Sequence, residues 1–202
     1  MNISENQILI RVNEIKQLIK PVQGWLRDQG VENLYRYALR APISNIVEIG
    51  SWKGRSTACL ACAVKDRNEG RVYAIDTWKG SLEHQKTLQA YAEDQLYNEF
   101  IGNMKKLNLL DYIQPIKTDS IEASRQWPSS LKIGLLYIDA SHDYLSVKRD
   151  FEFWSPFVTT GGYIIFDDVP SWPGPTKLVN ELPKWYKKID IKGNHAIFIK
   201  TY

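Results

Sequence analysis

What this sequence lacks narrows its function before any motif is read. It has no dense basic stripe: 26 basic and 23 acidic side chains leave a formal net charge of +3 over 202 residues. That is far from the pattern of a protein that follows a phosphate backbone, so no nucleic-acid partner is expected. No apolar run reaches membrane-spanning length, and Met1-Asn2-Ile3-Ser4-Glu5 lacks a charged-then-apolar leader pattern. A cytoplasmic protein without a membrane partner is therefore expected. Internal repeats, low-complexity tracts and Pro/Ser-rich linkers are missing too, which points to a single domain over 1–202. Cysteine is scarce. Cys59 and Cys62 have the spacing of a metal or redox pair, but they lie among the small apolar residues from Ser56 to Val64. That stretch reads as buried helix, where residues three apart simply share a face.

The first forty residues carry apolar positions at helical spacing: Ile8, Val12, Ile15, Leu18 and Ile19, then Trp25, Leu26, Leu34, Tyr37 and Ala38. Pro21 and Gly24 divide them into two helices, which form a cap over residues 1–42. From residue 46 the pattern alternates between strand and helix. Strands are expected at 46–49, 71–75, 112–116, 133–138 and 163–166, with two more near 188–191 and 196–200. Helices are expected at 55–65, within a long polar stretch at 82–109, and at 121–126, 144–154 and 176–186. Short, wholly apolar strands alternating with helices specify a mostly parallel, seven-stranded, Rossmann-like α/β sheet covered on both faces. Ligands of such sheets sit beyond the carboxyl ends of the strands. Gly50, Asp76, Asp139, Asp167 and Asp168 all fall at those ends.

Glu48-Ile-Gly50-Ser51-Trp52-Lys-Gly54-Arg-Ser56 is a strand-to-helix turn. Gly50 permits the sharp swing, and Gly54 is expected to let the helix N-terminus approach a ligand. Glu48 is a carboxylate inside an apolar strand and requires a partner, which an aminosulfonium ligand would supply. The dinucleotide fingerprint G-x-G-x-x-G is not met, because Trp52 stands at the middle glycine and the third glycine is missing. A ligand without phosphate, such as S-adenosylmethionine, suits this turn. Asp76 is positioned to accept from two ribose hydroxyls, or else to cap a turn. Asp119-Ser120 either meets the adenine amino group or caps the helix that follows.

Tyr137-Ile-Asp139-Ala-Ser-His142 and Phe166-Asp167-Asp168 bring three carboxylates to neighbouring strand ends. Acids this close repel one another unless protonated or bridged by a cation. Oxygen-only ligands favour a hard ion, Mg²⁺ above all.

The steps E-I-G-S-W-x-G-R-S-T, I-D-T-W-K-G and K-T-D-S resemble the class I S-adenosylmethionine-dependent methyltransferases of the macrocin and novobiocin sugar O-methyltransferase type. Cephalosporin hydroxylase-like proteins share much of the pattern, and catechol O-methyltransferase is more distantly similar. The resemblance covers about residues 46–174. It implies that Glu48, Gly50, Ser56, Asp76, Asp119 and Ser120 line the cofactor pocket, with Ser51, Trp52, Gly54, Thr77 and Asp139 completing the set. It implies that Asp139, Asp167 and Asp168 bind the metal. It also places a basic side chain three positions after the first metal ligand, here His142, as the catalytic base beside Asp139. The implied activity is O-methylation of a small-molecule hydroxyl on a sugar or other vicinal diol. The alternative is a non-catalytic or hydroxylase-type protein of the same fold that binds the same cofactor and metal.

His84 and His195 have no such context and are expected at the surface or in packing. Thr77–Gly80 with the polar helix after it suggests a lid, and Trp172-Pro-Gly-Pro175 a wall for a ring. The Asn/Asp-Pro-Pro-Tyr/Phe step of amino-modifying nucleic-acid methyltransferases is missing. The acceptor's identity is not legible here. A homo-oligomer packed through the N-terminal helices stays open.

Overall fold

The computed structural model describes residues 4–80, 88 and 91–202. Helix α1 (Glu5–Ile19) opens on a reciprocal cap, in which the Ser4 hydroxyl accepts from the Gln7 amide and the Gln7 side chain accepts from the Ser4 amide. Its Ile8, Val12, Ile15 and Ile19 form one buried stripe. Helix α2 (Asp28–Arg40) follows after the break at Pro21 and Gly24. The remaining elements are β1 (Asn45–Ile49), α3 (Arg55–Arg67), β2 (Arg71–Asp76), α4 (Gln95–Lys106), β3 (Ile113–Lys117), α5 (Ser120–Arg125), β4 (Ile133–Ile138), α6 (Tyr144–Trp154), β5 (Val158–Phe166), α7 (Pro173–Glu181), β6 (Tyr186–Lys192) and β7 (His195–Lys200).

The seven strands form one sheet in the order β3-β2-β1-β4-β5-β7-β6. Strands β1 to β5 run parallel, while β7 is antiparallel to both β5 and β6. Alternation along β1 and β4 divides the core. Ile46, Leu135 and Tyr137 pack with residues of α1, α2, α3 and α4 on one face, and Val47, Leu136 and Ile138 pack with residues of α5, α6 and α7 on the other. The N-terminal cap therefore shares one hydrophobic core with the sheet.

Three boundaries differ from the sequence pattern. The expected helix at 176–186 begins at Pro173 instead, since proline suits the first helical turn. It ends at Glu181 because Leu182 precedes Pro183 and leaves the helical region, which frees Tyr186 to start a strand. Within the polar stretch 82–109 the helix is Gln95–Lys106. Residues 81–87, 89 and 90 lie outside the described residues, and with them His84 and most of the suggested lid. Strand β5 starts five residues early, at Val158. Cys59 and Cys62 are unbridged and buried in α3, as expected.

Candidate active site

A cavity of about 900 Å³ opens at the carboxyl ends of the parallel strands, large enough for a nucleoside cofactor and a second small molecule. One end is shaped by the turn after β1. Gly50 has φ +88°, and a Cβ there would lie 2.0 Å from the Asp139 carbonyl oxygen; no other residue fits. Trp52, at the middle-glycine position, also has positive φ, +47°. The neighbours hold this strained conformation. Asp76 Oδ2 accepts from the Ser51 amide at 3.0 Å and from the Trp52 amide at 2.9 Å. Trp78 Nε1 donates to the Trp52 carbonyl at 2.8 Å, and Trp25 packs on the indole with ring centroids 5.6 Å apart. Asp76 Oδ1 accepts from the Trp78 amide at 2.7 Å. Burial raises the Asp76 pKa despite these amides.

Gly50, Ser51, Trp52, Ser56, Asp76 and Thr77 line the cavity. Glu48 and Gly54 do not. Glu48 is fully buried beneath the turn, pointing toward the α1–α4 side. Its Oε2 accepts from the Ser51 hydroxyl at 2.8 Å and from the Thr57 hydroxyl. Burial pushes its pKa up to about 7, against the opposing effect of the Ser56, Thr57 and Ser51 hydroxyls. The turn itself thus supplies partners for Oε2, while Oε1 has none among the described residues. Gly54, with φ +92°, is closed off by Met104 and Phe100, whose atoms would meet an added Cβ at 2.6 and 3.0 Å. It serves helix packing and not ligand approach.

Farther along, Asp119 and Ser120 line the cavity. Asp119 caps α5, its Oδ1 accepting from the Ile121 and Glu122 amides at 2.9 and 3.3 Å. The Ser120 hydroxyl donates to Asp150. Asp150, a buried carboxylate on α6 whose pKa burial raises to about 6, carries no sequence signal of its place here.

At the opposite end Asp139, His142, Asp167 and Asp168 share the cavity wall. The hydroxyl of buried Tyr137 lies 2.7 Å from Asp167 Oδ2 and 3.0 Å from Asp139 Oδ2. One phenolic proton cannot serve two carboxylates. Burial and the charges of Asp167 and Asp168 push Asp139 well above the ordinary carboxylate range. Asp167 is lowered: burial opposes its ionisation, but His195 and the Tyr137 hydroxyl outweigh that. The Tyr137 hydroxyl is thus a donor within reach of both carboxylates, and of the two Asp139 is the one that its surroundings push toward the neutral form. His142 Nε2 is 2.7 Å from Asp168 Oδ2, and its ring stacks on Trp172 with centroids 4.2 Å apart and an interplanar angle of 13°.

Asn194 and His195 are functional-site residues that the sequence pattern did not reveal. Asn194 Nδ2 donates to Asp168 Oδ1 at 2.9 Å. His195, 1% exposed, has Nε2 3.6 Å from Asp167 Oδ1. The antiparallel pairing of β7 on β5 explains both, since Phe166 is level with Ala196 and the start of β7 must lie beside Asp167. That register was the missing signal. Asp139, Asp167 and Asp168 have the donor chemistry of a hard cation, and the shared phenolic proton marks a surplus of carboxylate charge that a cation would relieve. Among the described residues, no three acidic, histidine or cysteine side chains are grouped as a ready metal cage. No helix among them is long and apolar enough to cross a membrane.

Comparison with known proteins agrees with this geometry. A model described as "Methyltransferase domain" matches residues 47–169. Curated relatives include the uncharacterized protein y4gI of Sinorhizobium fredii, 28% identical over 149 residues. Another is the uncharacterized protein R132 of Acanthamoeba polyphaga mimivirus, 27% identical over 122 residues. These alignments span 73% and 60% of this chain but only 15% and 50% of the relatives. Among solved structures, the O-methyltransferase NovP superposes with TM-score 0.71 at 16% identity, covering 96% of this chain and all of NovP. The O-methyltransferase TomG from Streptomyces achromogenes, in complex with S-adenosylmethionine, gives 0.64 at 13% identity, covering 100% and 93% of the two chains. Calicheamicin methyltransferase CalS11 gives 0.62 at 16%, covering 98% and 94%. At such identities the likeness speaks for the fold alone, whereas the matched model spans most of the sheet and both ends of the cavity. This chain belongs to the methyltransferase-domain family and has the Rossmann-like class I methyltransferase fold.

Proposed function

We propose that this protein transfers the methyl group of S-adenosylmethionine to a hydroxyl of a small molecule bearing a vicinal diol, such as a sugar. One observation carries the reading: a single cavity is lined both by the Gly50 turn with Asp76 and by Asp139, Asp167, Asp168 and His142. One cavity could thus hold a sulfonium beside a hydroxyl flanked by carboxylates, which supports this reading. CalS11 is described as a TDP-rhamnose 3'-O-methyltransferase, which supports a sugar hydroxyl as the acceptor.

In the proposed reaction the acceptor oxygen attacks the sulfonium methyl in line. A carbon–oxygen bond forms, the carbon–sulfur bond breaks, and its electron pair stays on sulfur. His142 takes the hydroxyl proton. Its Nε2 lies against Asp168, which orients the ring. Trp172, stacked on the ring, fixes its plane. Asp139, Asp167 and Asp168 would hold a divalent cation, which favours the ionised form of the acceptor hydroxyl. The protein's largest contribution is positioning, because the turn and the acid cluster are both anchored to strand ends.

The test is formation of S-adenosylhomocysteine from S-adenosylmethionine with a panel of sugars and catechols, with and without excess chelator. Acceptor-dependent turnover that stops in chelator and returns with Mg²⁺ is expected. Full turnover in chelator removes the cation from the scheme, and no turnover with any hydroxyl acceptor removes O-methylation.

A further inference from the structure

Glu48 lies off the cavity wall, so the amino-acid end of a bound S-adenosylmethionine calls for another anchor. Arg55, the first residue of α3, lines the cavity beside Ser56. Its stem packs on Gly24, where an added Cβ would lie 3.0 Å from Arg55 Cβ. One guanidinium nitrogen, Nη1, donates to the Val22 carbonyl at 3.3 Å. The Nε–H is buried and has no hydrogen-bond partner among the described residues. Such an orphaned donor is costly and calls for an acceptor.

Arg11, Arg36, Arg40, Arg67 and Arg125 each meet a carboxylate at ion-pair distance, whereas Arg27, Arg55, Arg71 and Arg149 show none among the described residues. Of these Arg55 is the one with a buried, unpartnered guanidinium nitrogen. A guanidinium presents a planar fork that matches a carboxylate with two parallel hydrogen bonds. The start of α3 reinforces it. Gly54 supplies no side-chain cap, so the first amides of this 13-residue helix add partial positive charge at the same place.

We propose that Arg55 binds the α-carboxylate of the methionine part of S-adenosylmethionine at the N-terminus of α3. This rests on the methyltransferase reading above. It sets the direction of the cofactor, with the amino-acid end toward the connection between α1 and α2 and the adenine toward Asp119 and Ser120. It also gives the N-terminal cap a role in binding, since Val22 and Gly24 hold the Arg55 side chain.

Calorimetric titration with two ligands tests it. S-adenosylhomocysteine carries the amino-acid end, and 5'-methylthioadenosine shares its nucleoside and thioether but lacks that end. The unaltered protein should bind S-adenosylhomocysteine more tightly. Arg55→Ala should weaken that ligand roughly 10- to 100-fold, the range for a lost charge-assisted hydrogen bond, and leave 5'-methylthioadenosine unchanged. Arg55→Lys should fall between, keeping charge without the fork. Undiminished S-adenosylhomocysteine affinity in Arg55→Ala overturns the proposal. An equal loss for both ligands overturns it as well, because Arg55 then only supports the turn. If the unaltered protein binds neither ligand, the cofactor reading itself fails, an outcome distinct from the other two.

Discussion

The two ends of the cavity are built on opposite plans. At the end near the β1 turn the carboxylates rest mainly on backbone amides and hydroxyls: Asp76 takes amides of Ser51, Trp52 and Trp78, and Glu48 Oε2 takes hydroxyls of Ser51 and Thr57. At the acid end the carboxylates meet titratable and amide side chains instead. Asp167 leans on Tyr137 and His195, and Asp168 on His142 and Asn194. The first end is a scaffold built on backbone turns, with Glu48 Oε1 and Arg55 Nε left without hydrogen-bond partners among the described residues. The second holds more carboxylate than the protein alone neutralises, which suits a place where charge changes during reaction.

The comparison breaks most visibly at His142. If the acid end does the chemistry, His142→Ala should lower turnover by roughly 10²- to 10⁴-fold, the usual worth of a positioned base. It should also remove the acid limb of the pH–rate profile, because the reaction requires neutral imidazole. S-adenosylhomocysteine affinity should not change. Wild-type turnover in the variant, with the same pH profile, would return His142 to a hydrogen-bonded turn residue.

The scaffold end makes a stability prediction instead. Glu48 titrates near 7 in the folded protein against an ordinary value of 4.5. Between those values the folded state keeps a proton that the unfolded chain releases, so Glu48 weakens the fold as pH rises. Its contribution is most favourable below about 4.5 and fully lost above about 7, a swing on the order of 3 kcal/mol. Glu48→Gln should flatten the fall of Tm across that window relative to the unaltered protein. Parallel pH–Tm curves for the two would show that Glu48 ionises freely under the turn.

The same contrast explains what was legible in the sequence. The turn after β1, the strand ends and the three acids were readable because each lies within a short segment whose geometry glycine, apolar runs and strand termini dictate. The placement of Glu48 was misread: a buried carboxylate announces the need for a partner, but not that two hydroxyls of the next turn will supply it. Gly54 was misread for a related reason, since glycine marks close approach without saying what approaches. Asn194 and His195 were invisible because they reach Asp167 and Asp168 only through the antiparallel insertion of β7 beside β5. Asp150 was hidden in the same way, brought to Ser120 by the packing of α6 on α5.

Asp119 lies between the two plans, and the smallest expected effect resolves it. Its Oδ1 serves the α5 amides, while its Oδ2 makes no hydrogen bond with the described residues and the residue lines the cavity. Loss of the cap in Asp119→Ala should cost about 1 kcal/mol of stability, read as a Tm drop of about 2–4 °C. If Oδ2 also accepts from the adenine amino group, S-adenosylhomocysteine affinity should fall about fivefold, the worth of one ordinary hydrogen bond. Asp119→Asn separates the two roles. Asparagine caps a helix as well as aspartate does, so stability should be kept. Its carboxamide presents only one oxygen, already engaged by the helix, so the affinity loss should remain. An alanine variant that is destabilised yet binds S-adenosylhomocysteine undiminished would make Asp119 a cap and nothing more, and would extend the scaffold to the adenine end.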